Sequence, residues 1–104
     1  MAKFGFTDLH SFKDFVGFVK LCAPELFPIR DGFGPDEQWT VDRAFQGLRL
    51  GLNMAVQEKG ERPEFAESNK LIEAAYDAYK VGDVRSGFMK LEQVQKLLRK
   101  VPSQ

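Results

Sequence analysis

The stretch Gly47–Val56, GLRLGLNMAV, decides the fold of this chain because it fits two different structures. With a period of two, large apolar residues alternate with small or polar ones, which is typical of a strand. With a period of 3.6, one apolar face forms and extends upstream. The members of that face are Ala44, Phe45, Leu48, Leu52, Ala55 and Val56.

A strand needs a partner, and the only other alternating stretch, KFGFT, is very short. We therefore predict a helix over residues 40–59, with pairing of residues 2–7 to part of 47–56 as the alternative. Thr40 or Asp36 offers an N-cap, and Gly60 offers a stop. Gly47 and Gly51 lie on one side of this helix, where we expect a neighbouring backbone to approach closely.

Three further segments have helical spacing. The first covers residues 8–22 and ends before Pro24. The third covers 64–81, just after Pro63, which suits a first helical turn. The fourth covers 84–101 and follows Asp83, an N-cap residue. A short connection makes the last two helices an antiparallel hairpin. The chain is thus predicted to be all-α, with residues 1–104 forming one irregular four-helix bundle.

The connection between the first two helices is long for a compact domain, and loops of this length are often functional. It combines prolines and glycines with aromatic side chains. Prolines limit the conformations lost on binding, and aromatic residues often anchor interfaces. We predict that a partner contacts this connection between Pro24 and Trp39. The predicted contact residues are Phe27, Arg30, Asp31, Phe33, Asp36 and Trp39. The alternative is that the same aromatics seal one end of the bundle.

The composition argues against several kinds of chemistry. The chain has one cysteine and one histidine, Cys22 and His10, so no zinc set of Cys and His forms within it. About three helical turns separate the two, which rules out a nucleophile–base pair within one helix. No phosphate-binding glycine motif is present. We predict no metal, no cofactor and no catalytic residue. The lone cysteine and the absence of a signal peptide or membrane span favour the cytoplasm.

The function that remains is a small, non-catalytic protein-interaction module: a binder, adaptor, regulator or toxin-neutralising protein. An acidic connection and a basic C-terminal segment within a neutral chain fit a surface that orients a protein partner. Uncovered apolar residues suggest a homodimer. One alternative is an enzyme or small-ligand binder that uses the carboxylates and tyrosines of the third helix. Another is weak nucleic-acid binding through the basic end of the fourth helix, which the zero net charge disfavours.

Overall fold

The computed structural model describes residues 6–23, 27, 29, 32, 34 and 38–102. It contains four helices, α1 (Leu9–Cys22), α2 (Val41–Lys59), α3 (Pro63–Lys80) and α4 (Val84–Arg99). The predicted all-α four-helix architecture is confirmed. Residues 47–56 lie inside α2, so the strand alternative is wrong for them, and residues 2–5 lie outside the described part.

Local capping explains where the helices begin. Asp8, Thr40 and Asp83 each precede a helix, and each side chain accepts the backbone N–H three residues later. These bonds satisfy N–H groups that have no partner within the helix. Pro63 occupies the first turn of α3, where its missing N–H costs nothing. Thr40 is therefore confirmed as a cap, and Asp36 lies outside the described residues.

The helices end within two residues of the predicted positions. Gly60 and Gly82 follow α2 and α3 with φ of 84° and 85°, a conformation that favours glycine. α3 ends at Lys80, one residue before the prediction, and α4 ends at Arg99, whereas the sequence predicted residue 101. The N–H groups of Lys100 and Val101 bond to carbonyls three residues earlier, at 3.1 Å each, in a tight final turn.

Each helix packs against its neighbours in the chain, and α1 also packs against α4. The backbone N–H of Leu9 donates to the Glu58 side chain, so the start of α1 lies beside the end of α2. Lys13 donates to the carbonyl of Val101, so the start of α1 also lies beside the end of α4. The helices therefore alternate in direction. We call the opposite end, where α1 ends, α2 begins and α3 passes into α4, the turn end.

The core lies between the helices and is rich in aromatic rings. Its largest fully buried side chains include Phe12 and Phe45. The ring of Phe12 lies so close to Gly51 that a Cβ added there would overlap it. Both Gly47 and Gly51 are buried. The expected close approach at Gly51 is thus made by an aromatic ring, not by a backbone, because α1 sends a large side chain into the gap.

Candidate protein-docking surface

Two residues of the predicted contact segment pack onto α1. Trp39 and Phe27 stack with ring centroids 6.0 Å apart and planes at 24°. Trp39 also lies 5.2 Å from the ring of Phe18 and 5.8 Å from that of Phe15. Phe18, Phe27 and Trp39 are each partly buried against the core. These contacts place Phe27 and Trp39 against the C-terminal half of α1, at the turn end.

The other four predicted contact residues, Arg30, Asp31, Phe33 and Asp36, lie outside the described residues, so their part in docking stays a prediction. Their neighbour Ile29 is described, and it is 82% exposed. An aliphatic side chain exposed this fully makes no contribution to the core. It stands instead in the segment where the sequence predicts a partner contact.

Four more large apolar side chains are exposed at the turn end. Leu21 is in the last turn of α1 and is 68% exposed, and Val81, in the turn between α3 and α4, is 81% exposed. Val84 and Phe88, on the first turns of α4, are exposed as well. We call Leu21, Val81, Val84 and Phe88 the turn-end patch.

A cation–π contact joins the two sides of this patch. The ammonium group of Lys20 lies 5.4 Å from the centroid of the Phe88 ring. This distance is within the range of attraction between a cation and an aromatic face. The contact places the end of α1 beside the start of α4, so Leu21, the residue after Lys20, and Phe88 belong to the same end of the bundle.

Sequence reasoning did not find this patch. Val84 and Phe88 share the helical spacing of Leu91, Val94 and Leu98, and the last three are fully buried. The spacing identifies the apolar side of α4 but not the point at which the neighbouring helices stop covering it. The position of these residues in the sequence could have indicated their exposure. An apolar stripe that begins in the first turn of a helix, directly after a tight connection, lies at the edge of the core.

A polar network covers the interface between α2 and α3. Arg49 donates two hydrogen bonds to the Glu73 carboxylate, at 2.7 and 3.0 Å. The Tyr76 hydroxyl donates to Asp42 at 2.5 Å, and Lys80 donates to the same oxygen at 3.4 Å. The bond from Arg49 lowers the pKa of Glu73, and the bond from Tyr76 lowers that of Asp42. These bonds tie α2 to α3.

The network bears on the alternative of an active or ligand site on α3. Glu73 and Tyr76 are occupied by Arg49 and Asp42, and Tyr79 is buried. The groove between α2 and α3 that Asn53 lines contains none of the three, and the groove between α1 and α4 contains none either. In neither groove do the carboxylates and tyrosines of α3 converge, so that alternative stays a prediction.

Within residues 6–23, 27, 29, 32, 34 and 38–102, no three His, Cys, Asp or Glu side chains come together as a metal set would. Cys22 is partly buried and has a free thiol. His10 and Asp14 are both exposed, one helical turn apart. None of the described helices combines the length and the apolar character needed to cross a bilayer.

Comparison with known proteins identifies no relative of this chain. No protein-family model, no curated protein and no solved structure matches this chain. The function of this chain is therefore inferred from the chemistry of its own surface. The largest departure from an ordinary surface in the described residues is the turn-end patch, with Ile29 two residues after Phe27.

Proposed function

We propose that this chain is a non-catalytic protein-interaction module that docks a partner protein at its turn end. The observation that supports this most is the exposure of the turn-end patch together with Ile29. Contiguous exposed apolar side chains mark interaction sites in soluble proteins, whereas scattered ones do not. Of the seven large apolar side chains found exposed in the described part of the chain, five belong to this group.

The surroundings suit an interface. The half-buried rings of Phe18, Phe27 and Trp39 pack together at the end of α1. Side chains that are held in place before binding lose little conformational freedom when the partner arrives. Burying the exposed aliphatic side chains contributes roughly 25 cal/mol per Å² of apolar surface removed from water.

The charges at the turn end are mixed. Asp42 and Asp83 stand at the starts of α2 and α4, and Lys20 and Lys80 stand in the last turns of α1 and α3. Charges of both signs around an apolar centre orient a partner more than they raise its affinity. A cytoplasmic location and a homodimer remain parts of this proposal.

Paired surface substitutions test the proposal. Leu21→Glu and Val81→Glu each place a charge in the turn-end patch, where high exposure makes a loss of stability small. Leu50→Glu is the matched control, because Leu50 is 50% exposed on α2, outside the patch. Each protein is used to capture partners from the native cell extract, followed by mass spectrometry.

We expect a protein captured by the wild type and by Leu50→Glu to be lost with both patch variants. The same set, analysed by sedimentation, tests a second copy as the partner. A dimer in the wild type and the control, with monomers in the patch variants, would identify self-association. Identical capture and identical sedimentation for all four proteins would reject docking at the turn end.

A further inference from the structure

Two opposite charges accompany the exposed apolar residues of α4 at the turn end. Asp83 is the N-cap of α4, and Val84 and Phe88 follow it one turn apart, both exposed. Lys20, in the last turn of α1, places its ammonium group 5.4 Å from the centroid of the Phe88 ring. At about 1.5 Å per residue, roughly 7–8 Å of α4 separates Asp83 from Phe88. One charge thus precedes Val84, and the other lies over Phe88.

Neither charge is neutralised within the described part of the chain. None of the three ion pairs found there includes Asp83 or Lys20. The Asp83 carboxylate accepts the backbone N–H of Ser86 at 3.2 Å, which leaves its charge in place. Lys80, the other lysine in a last helical turn at this end, lies 3.4 Å from Asp42. Asp83 and Lys20 therefore give the turn-end patch one unmatched charge of each sign.

This arrangement is complementary to itself under a two-fold rotation. In a symmetric dimer the same surface faces its copy, so every contact between two different residues occurs twice. When Val84 and Phe88 of one chain lie against Phe88 and Val84 of the other, each Lys20 comes beside the Asp83 of the second chain. Opposite charges then meet on both sides of an apolar centre. A partner with one sign of charge around its contact surface would leave Lys20 or Asp83 without a counterpart.

We propose that the turn-end patch binds a second copy of this chain across a two-fold axis, with Lys20 of each copy beside Asp83 of the other. This inference rests on the proposed docking at the turn end and names the partner. The four side chains of the patch form a smaller surface than the roughly 800 Å² that each partner buries in a standard interface, so we expect a weak dimer. The two charge pairs set its register more than its affinity.

Charge reversal tests this register. Lys20→Glu brings two acidic groups together at both contacts, and Asp83→Lys brings two basic groups together. We expect each variant alone to dimerise at least about tenfold more weakly than the wild type, measured by sedimentation at roughly 10–500 µM. An equimolar mixture of the two variants restores opposite charges at both contacts. We expect this mixture to dimerise within about threefold of the wild type.

Controls separate this pairing from a general effect of charge. Lys70→Glu makes the same reversal at an exposed site of α3, about 15 Å from the turn end, and should leave dimerisation unchanged. Arg85→Glu reverses another exposed cation near the start of α4. Its mixture with Asp83→Lys should dimerise more weakly than the mixture of Lys20→Glu with Asp83→Lys.

A further variant guards against a loss of folding. Asp83→Lys removes the N-cap of α4, whereas Asp83→Asn keeps a capping side chain and removes only the charge. We expect Asp83→Asn to dimerise more weakly than the wild type, by about threefold. Circular dichroism of every variant confirms that the helices remain.

Pairing of two copies is rejected if the wild type stays monomeric up to roughly 500 µM. It is also rejected if the mixture of Lys20→Glu and Asp83→Lys dimerises no better than the separate variants, or if Lys70→Glu weakens the dimer as much as Lys20→Glu. These results leave docking of another protein standing wherever Leu21→Glu and Val81→Glu lose a protein that the wild type captures. Restored dimerisation of the mixture, with an unchanged Lys70→Glu dimer, supports the two-fold contact.

Discussion

Two interfaces of the bundle place an aromatic ring on a glycine, and they differ in one atom group. Between α1 and α2, the Phe12 ring covers Gly51, and between α3 and α4, the Tyr79 ring covers Gly87. Phe12 is fully buried and purely hydrocarbon. Tyr79 brings a hydroxyl that is buried without a hydrogen-bond partner in the described structure. The two ring–glycine contacts are thus alike in packing, but only the one at Tyr79 buries a polar group without a partner.

The two contacts share a favourable packing term, and only one of them includes an unfavourable polar term. The glycines let neighbouring helices approach so closely that the rings fill the gap, which favours both interfaces in the same way. The Tyr79 hydroxyl adds the cost of a polar group removed from water. Burial of Tyr79 also raises its pKa to about 12, because the charged phenolate is disfavoured there.

The largest effect is expected at Gly51. A Cβ in Gly51→Ala would overlap the Cδ1 and Cε1 atoms of Phe12, a ring enclosed on all sides. We expect unfolding in urea to show a loss of about 2–3 kcal/mol, because overpacking outweighs the gain in helix propensity. Adding Phe12→Leu should recover part of the loss. Equal losses from the single and double variants would show that the ring does not cause the effect.

A smaller loss is expected at Gly87. The added Cβ would lie 2.6 Å from the Cζ atom at the far end of the Tyr79 side chain, where a small tilt gives room. We expect Gly87→Ala to cost about 1.5 kcal/mol in the same urea experiment. A cost above that of Gly51→Ala would mean that the interface between α3 and α4 is the more rigid of the two.

Removing the Tyr79 hydroxyl should raise the free energy of unfolding, whereas the two glycine substitutions should lower it. We expect Tyr79→Phe to stabilise the protein by about 1 kcal/mol, because it deletes an unsatisfied polar group and keeps the ring. Thermal and urea unfolding measure the change. Ser68→Ala is a parallel case, since the Ser68 hydroxyl is also buried and unsatisfied. Destabilisation by Tyr79→Phe would contradict the unpaired state of its hydroxyl.

Alkaline titration gives a second measure of the burial of Tyr79. Burial raises the pKa of Tyr79 from 10.0 to about 12 in the folded chain. Folding stability is therefore unaffected by this titration below pH 10 and falls as pH rises from 10 towards 12, because the unfolded chain loses the phenol proton first. Wild-type stability should fall more steeply than that of Tyr79→Phe over this interval. Parallel curves for the two proteins would argue against burial of the phenol.

The smallest effect is expected at the polar interface between α2 and α3. Glu73→Gln keeps the shape of the side chain and removes the charge opposite Arg49, and both side chains are over 40% exposed. We expect a loss of about 0.5 kcal/mol or less at neutral pH. The Arg49 bond lowers the pKa of Glu73 below 4.5, so the difference should vanish as pH falls through that range. A difference that persists in acid would point to a role other than charge.

Local signals predicted the helices well. Thr40, Pro63 and Asp83 act on backbone groups within one turn, so sequence alone places the starts of α2, α3 and α4 within about one residue. The interfaces depend on the register between distant helices, which no local pattern encodes. The sequence therefore identified Gly51 as a point of close approach but could not predict that Phe12 fills it.

On the surface, too, residue types could be read from the sequence, but their contacts and exposure could not. The carboxylate of Glu73 was visible in the sequence, but its pairing with Arg49 needed the relative position of α2 and α3. The aromatic character of the segment up to Trp39 was also visible, whereas the exposure of Leu21 and Val81 beside it follows from where the helices stop. Periodicity marks an apolar side without giving the length over which it is covered.

The position of Trp39 has a spectroscopic consequence. It is the only tryptophan of the chain, and it is half-buried against Phe18 and Phe27. Selective excitation of the indole therefore reports on the turn end alone, while far-ultraviolet dichroism reports on all four helices. If the segment before α2 opens locally, emission changes before the helical signal does. A partner seated at this end would shield the indole from a dissolved quencher, so one native fluorophore can follow both events without a label.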